Sequence, residues 1–279
     1  MIRKIVVPLD GTQASESILP HLSELFRVAD ADVRFVHAYD WSEPGFTRGR
    51  DYLKGLAGRV ADRFPCAHTE LLRGETAFEI MKYSVVHHAD LIAMTTRSCS
   101  GIRKILFGST TLELMRHSQV PLFIAGPSCP SRPIRKILVP LDGSETSQGI
   151  LPIVADLAGG AGAQVRLLTA LPEAGAGELA ARALKRVGDA FEKRGIPAVT
   201  SVVPGEPVKA ILASARDEGA DLIALGTHGR SGSDRFFFGS VAESVIQGAE
   251  VPLLLRRKPR SVIVGRNLEA GVVENSASR

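Results

Sequence analysis

Leu222-Ile-Ala-Leu225-Gly226-Thr227-His228-Gly229-Arg230-Ser-Gly-Ser-Asp-Arg-Phe-Phe-Phe238-Gly239-Ser240-Val241 is the stretch that decides how this chain folds. A short apolar run opens it, and Val241, Ala242, Val245, Ile246 and Ala249 follow at helical spacing, so it reads as strand, glycine-rich loop and helix. That arrangement favours an anion. Glycines at 226 and 229 let backbone approach a ligand closely, and Gly239-Ser240 opens a helix whose first N–H groups and positive dipole end face the same space. A tight turn followed by a serine cap would use the same residues, so the rest of the chain has to decide.

Working outward, the chain proves to be written twice. Ile2-Arg-Lys-Ile-Val-Val-Pro-Leu-Asp-Gly11 stands against Ile134-Arg-Lys-Ile-Leu-Val-Pro-Leu-Asp-Gly143, an offset of 132. Later landmarks keep an offset of 131: Gly74-Glu75 with Gly205-Glu206, Ala89-Asp-Leu-Ile92 with Ala220-Asp-Leu-Ile223, and Phe107-Gly-Ser109 with Phe238-Gly-Ser240. Solenoid units are several times shorter, so this period means two tandem domains, joined near Gly126-Pro-Ser-Cys-Pro-Ser-Arg-Pro133. The expected division is 1–127, a linker at 128–133, 134–257, and a tail from 258 to 279.

Within each unit, short β-branched runs alternate with helix-period segments. In the first unit the pattern predicts strands at 3–8, 33–38, 68–72, 90–95 and 121–125, with helices at 14–29, 48–64, 76–87 and 109–118. In the second it predicts strands at 135–140, 164–170, 198–203, 221–225 and 251–255, with helices at 146–158, 176–195, 207–219 and 240–248. Alternating βα units imply an α/β fold: a doubly wound five-stranded parallel sheet covered by helices on both faces, twice over. In such sheets a ligand lies beyond the carboxyl ends of the strands where the winding reverses. Winding outward from the first strand brings Pro140-Leu141-Asp142-Gly-Ser144 beside the Gly226–Ser240 loop.

Asp142 could accept from a ribose hydroxyl or face a metal-bound phosphate, and an Asx turn is its competing use. His228, Arg230 and Arg235 add positive charge to a loop already rich in N–H donors. Phe236, Phe237 and Phe238 read as packing beneath it, and His87-His88 as partners of a helix C-terminus. No GxxxxGK[ST], HExxH or GxSxG occurs, and Gly159-Gly-Ala-Gly162 falls between a helix and a strand, the wrong place for a dinucleotide fingerprint. No nucleophile–base pair and no carboxylate pair stands out, so binding without dedicated catalysis is the expectation.

Composition excludes several classes. A chain of 279 residues with 44% hydrophobic and 23% charged content is a soluble globular protein, and a net charge of +4 is too mild to imply nucleic acid. No segment is long and apolar enough to span a bilayer, and Pro8 and Asp10 break the N-terminal run that a signal peptide would need. Cys66, Cys99 and Cys129 lack metal or CxxC spacing, so free thiols in a cytoplasmic protein are expected.

The pattern Gly226-x2-Gly229-x9-Gly239-Ser240, together with Val-Pro-Leu-Asp-Gly-Ser after the first strand, resembles the universal stress protein family, and the doubled unit resembles its tandem members. The likeness covers residues 2–126 and 134–256. It implies a strand order of 3-2-1-4-5, pairing of the two domains through their last strands, and ATP binding with a divalent cation, Mg²⁺. By that resemblance Pro140, Leu141 and Asp142 border the adenosine, Ala170 offers backbone to the adenine, and Leu225 and Gly226 flank the nucleoside, with Thr227 also expected among the binding residues. Gly229, Gly239, Ser240 and Val241 would hold phosphates, with His228 and Arg230 as loop neighbours. Expected partners are therefore ATP, the other half of the same chain and a second copy as a homodimer; nucleic acid and membrane are not expected.

The first unit departs from this pattern. Thr95 and Ser98 stand where the second unit has Gly226 and Gly229, and each adds a Cβ that should narrow the crevice. Asp10, Gly108 and Ser109 remain, which leaves weakened binding and loss of binding both open, and Cys99 in that loop reads as an inert cysteine, with a redox-sensitive thiol as the alternative. The expectation is an ATP-binding stress-response protein, with at most slow ATPase activity, acting through conformation or partner binding. The alternatives are a nucleotide-free interaction module and a nucleotidyl-transfer or ATP-pyrophosphatase enzyme; Asp142-Gly-Ser-Glu-Thr-Ser lacks the doubled glycine that such an enzyme carries after its first strand.

Overall fold

A computed structural model describes residues 2–29, 32–96, 108–126, 129–171, 177–227 and 239–257. The loop containing Cys99, His228, Gly229, Arg230, Arg235, the three phenylalanines at 236–238 and the tail from 258 lie outside them.

The first unit runs β1 (Lys4–Pro8), α1 (Gln13–Glu16), α2 (Ile18–Ala29), β2 (Asp32–Tyr39), α3 (Glu43–Val60), β3 (His68–Arg73), α4 (Thr76–Val86), β4 (Leu91–Thr95), α5 (Ser109–His117) and β5 (Leu122–Ala125). The second repeats it as β6 (Lys136–Pro140), α6 (Glu145–Gln148), α7 (Leu151–Ala161), β7 (Gln164–Leu171), α8 (Gly177–Glu192), β8 (Ala198–Pro204), α9 (Pro207–Asp217), β9 (Leu222–Thr227), α10 (Ser240–Gly248) and β10 (Leu253–Arg257). One ten-stranded sheet results, in the order β3-β2-β1-β4-β5-β10-β9-β6-β7-β8, so each unit has the order 3-2-1-4-5. Every neighbouring pair is parallel except β5 with β10.

The antiparallel seam carries the symmetry of the repeat. Phe123 stands opposite Leu254, which is its own counterpart at the offset of 131, so a pseudo-twofold axis passes between them. Central strands such as β1 and β6 are buried on both faces, which is why they read as continuous apolar runs rather than alternating ones. Helices cover each face, and α2 and α7 also meet each other across the axis. There the buried His21 turns its ring toward Phe123, at 6.3 Å between centroids, and bonds the backbone of Cys129, whereas its counterpart in the second unit is Ile153.

The repeated polar landmarks turn out to be fasteners at the strand ends. Asp90 Oδ2 accepts from the backbone N of Arg3 and Lys4, and Asp221 Oδ2 from Arg135 and Lys136, tying the start of each fourth strand to the start of the first. Glu75 and Glu206 cap α4 and α9, each accepting two backbone N–H bonds, after Gly74 and Gly205 at φ 140° and 121°.

Three expectations need correction. The single helices expected at 14–29 and 146–158 are each broken, into α1 and α2 and into α6 and α7. Pro20 and Pro152 explain the break, because the proline ring collides with the carbonyl four residues earlier and sits well only in the first turn of a new helix. The helix expected from 48 starts at Glu43, where Ser42 Oγ accepts from Gly45 N and Pro44 occupies the first turn. His88 stands just past the end of α4 with a left-handed φ of 53°, followed by Ala89 N donating to Ser84 O, where the second unit uses Gly219 at φ 64°. Among the described residues no helix is long and apolar enough to cross a membrane.

Candidate functional site

At the carboxyl ends of β6, β7 and β9 the sheet opens into a cavity of about 620 Å³. Its position follows from topology: β6 pairs with β7 on one side and β9 on the other, so the chains leaving β6 and β9 depart to opposite faces and leave a gap between them. The two loops singled out in the sequence line this one space. Pro140, Leu141 and Asp142 come from the end of β6, Ala170 from β7, Leu225 and Gly226 from β9, and Gly239, Ser240 and Val241 from the start of α10.

Five further residues line it: Ser147, Leu168, Pro207, Ile211 and Ala242. Pro207 and Ile211 lie on the inner face of α9, which enters the cavity because β8 also ends there. Their helical spacing marks them equally as core, so sequence reasoning passed over them; the signal available was the Gly205-Glu206 landmark directly before. Thr227 goes elsewhere. Its side chain is buried in a small gap with Met115, Val120 and Leu255, two positions from Leu225 and on the same face of β9. Thr227, expected among the binding residues, is therefore not in the described lining of this cavity.

The walls differ in chemistry. Leu141, Leu168, Ala170, Pro207, Ile211 and Leu225 make an apolar surface suited to a flat ring, while Asp142, Ser147, Ser240 and the α10 backbone supply the polar side. Gly239 caps α10 with φ 81° and ψ 140°, a backbone that only glycine adopts without strain, and as a glycine it offers the first-turn N–H groups no capping side chain of its own. Those donors open toward the space that Gly239, Ser240, Val241 and Ala242 border.

The β6–α6 loop is held rigidly. Gly143 turns it at φ 82°, Ser144 N donates to Asp142 Oδ1 at 2.9 Å, and Ser147 Oγ donates to Ser144 O while accepting from Asp142 N at 3.4 Å. Thr169, buried behind it, donates through Oγ1 to Leu141 O at 2.9 Å. Asp142 thus makes the Asx turn and also borders the cavity.

Gly226 has a different reason from the one its position in a glycine-rich loop suggested. A Cβ built there would lie 2.8 Å from Ser147 Cα and 2.9 Å from Thr146 C, and closer still to Thr146 O. Its missing side chain lets α6 lean onto β9, and through α6 it sets where Ser147 stands. In the first unit Thr95 fills this position, and its Oγ1 donates to Ala14 O at 2.8 Å, the counterpart of Thr146 O. Gly108 caps α5 at φ −67° and ψ 160°, so that helix begins without the left-handed turn of Gly239. His37 replaces Thr169 and holds Leu9 O through Nδ1 at 2.8 Å; a carbonyl only accepts, so Nδ1 carries the proton.

Cys66 and Cys129 are free thiols. Burial pushes the Cys129 thiol up, against the opposing pull of its bond from Gly126 N, which leaves it unreactive. Among the described residues no three His, Cys, Asp or Glu side chains gather to hold a metal.

The sequence profile of the Universal stress protein family matches this chain twice, over residues 1–125 and 133–257. A universal stress protein of Methanocaldococcus jannaschii is 33% identical over 142 residues, covering 45% of this chain and 84% of the relative. One from Bacillus subtilis is 30% identical over 145 residues, covering 44% of this chain and 98% of that protein. Among solved structures, a universal stress protein of Archaeoglobus fulgidus superposes with a TM-score of 0.79 at 21% identity, covering 91% of this chain and 98% of the other, a likeness of fold. Two profile matches that account for nearly the whole described chain, with the same sheet order in each half, make this chain a tandem member of the universal stress protein family.

Proposed function

We propose that the second unit binds ATP in the cavity between β6 and β9, and that the chain serves a cytoplasmic stress response through nucleotide-dependent conformation or partner binding. The observation that carries this reading is the meeting of an apolar slot with uncapped helix N–H groups in one cavity of about 620 Å³, within the size range of nucleotide and cofactor sites. Adenine would lie between Ala170 and the Pro207–Ile211 wall, the ribose near Asp142, and the phosphates at Gly239, Ser240 and Val241. Gly229 would join them in holding the phosphates, with His228 and Arg230 as its neighbours in sequence. Such a reading divides the chain into a first unit at 1–127, a linker at 128–133, the binding unit at 134–257 and a tail.

Magnesium fits as a passenger on the phosphates. It ordinarily takes one or two carboxylates with phosphate oxygens and water, and Asp142 is the carboxylate in the described lining. The metal would neutralise phosphate charge there. Asp142 is also the one acid–base side chain in the described lining, and it is already engaged with Ser144 N, which supports a binding role with slow turnover at most.

Equilibrium binding of ATP to the full chain, with and without Mg²⁺, tests this. Wild type should bind one nucleotide at the second unit, and Gly239→Val should weaken it at least tenfold by straining the cap and filling the phosphate space. Wild type that takes up no ATP, or equal affinity in Gly239→Val and Asp142→Ala, would remove the proposed site.

A further inference from the structure

The two units offer an internal control that isolates one surface. α4 and α9 occupy equivalent places, are both capped by a glutamate, and bury equivalent inner positions: Ile80 and Ser84 in one, Ile211 and Ala215 in the other. Their outer faces differ in kind. α9 presents Lys209, Ala213, Arg216 and Asp217 to solvent, an ordinary solvated face. α4 presents Phe78, Lys82, Val85 and Val86 at those positions, with Phe78 56%, Val85 50% and Val86 63% exposed. Spacings of four, seven and eight residues put them on one stripe of the helix. The fold therefore does not require apolar residues here, and their exposure needs another cause.

We infer that the α4 face is a self-association surface, and that its occupant is α4 of a second copy of this chain, crossing antiparallel about Lys82. The stripe is self-complementary. Phe78 and Val86 lie four residues to either side of Lys82, so an antiparallel crossing seats each Phe78 on the Val85–Val86 step of the other helix. Charge permits the crossing, because Glu79 Oε2 already pairs with Lys82 Nζ at 3.2 Å on the same helix, and the lysine stem adds apolar surface. A stripe of one helix covers less than the roughly 800 Å² per partner of a standard interface, so the dimer should be weak, with a Kd on the order of micromolar.

Sedimentation velocity of the full chain across a concentration series from about 1 to 500 µM reads the association directly, a range that brackets a weak interface. The test variant carries the second unit's own residues, Phe78→Lys, Val85→Arg and Val86→Asp, which this fold already accommodates on α9. Wild type should shift from monomer toward dimer, while the triple variant should stay monomeric throughout with an unchanged circular dichroism spectrum. Wild type that remains monomeric at the highest concentration, or a triple variant that dimerises as readily, would overturn the proposal.

Discussion

One methyl group at Gly226 probes the relation between packing and the site. Ordinary contact begins near 3.4 Å, and the added Cβ of Gly226→Ala would stand 2.8 Å from Ser147 Cα, so α6 must retreat by at least the difference, 0.6 Å. The obstacle is backbone and cannot rotate away. Overpacking of this kind costs about 1–3 kcal/mol. The retreat also stretches the Asp142 N to Ser147 Oγ bond, already 3.4 Å, and its loss adds about 1 kcal/mol. The thermal midpoint should then fall by about 5–10 °C. Since Ser147 and Asp142 form one wall of the cavity, ATP affinity should drop about tenfold, the equivalent of one polar contact at about 1.4 kcal/mol. Gly226→Thr is the sharper companion. Thr95 occupies this position in the first unit and bonds Ala14 O, so a threonine at 226 can recover a bond to Thr146 O once α6 has withdrawn. It should be no less stable than the smaller alanine, although it binds ATP as poorly. Differential scanning calorimetry and ATP titration on the three proteins check this. A Gly226→Ala protein with wild-type midpoint and wild-type affinity would refute the packing argument.

Other consequences are measurable with the same assays. Burial holds the folded pKa of His21 below its usual value, with the Cys129 backbone bond opposing, so the unfolded chain binds the proton more readily. Stability from His21 is therefore full above about pH 6.5 and is lost as pH falls below it toward the folded pKa; His21→Ile, the second unit's residue, should flatten urea-unfolding stability between about pH 7 and 5 relative to wild type. Glu206→Ala removes two capping bonds from α9 and should cost about 1 kcal/mol in urea unfolding, with Glu206→Asp recovering part of it. His88→Gly relieves a left-handed φ of 53° and should raise stability by up to about 1 kcal/mol, whereas the reverse change at Gly219 should lower it.

The depth to which this fold could be read in its sequence was set by whether each signal was local or came from pairing. Doubly buried strands announce themselves because residues such as Val6 and Val7 face core on both sides of the sheet, leaving a run with no polar interruption. The repeat then gave each weak segment a second sample, and the rule that ligands gather where winding reverses brought residues 140–142 beside 225–226 without any contact being known. Proline was local too, yet the apolar spacing across Pro20 and Pro152 ran on as though unbroken, because α1 and α6 are four residues long, too short to show a period of their own. Thr227 and Gly226 escaped for a tertiary reason. Alternation says that neighbours on a strand face opposite ways, but which way becomes meaningful only once α6 is known to press on one face and Met115 and Leu255 to close the other. The glycine that borders the cavity also makes room for a helix, and it acts on the cavity through that helix as well. The same logic accounts for the first unit: Thr95 bonds Ala14 O where the second unit has a glycine, and α5 begins at Gly108 without the positive φ of Gly239, so two nearly identical strand ends hold the helices that follow them by different means.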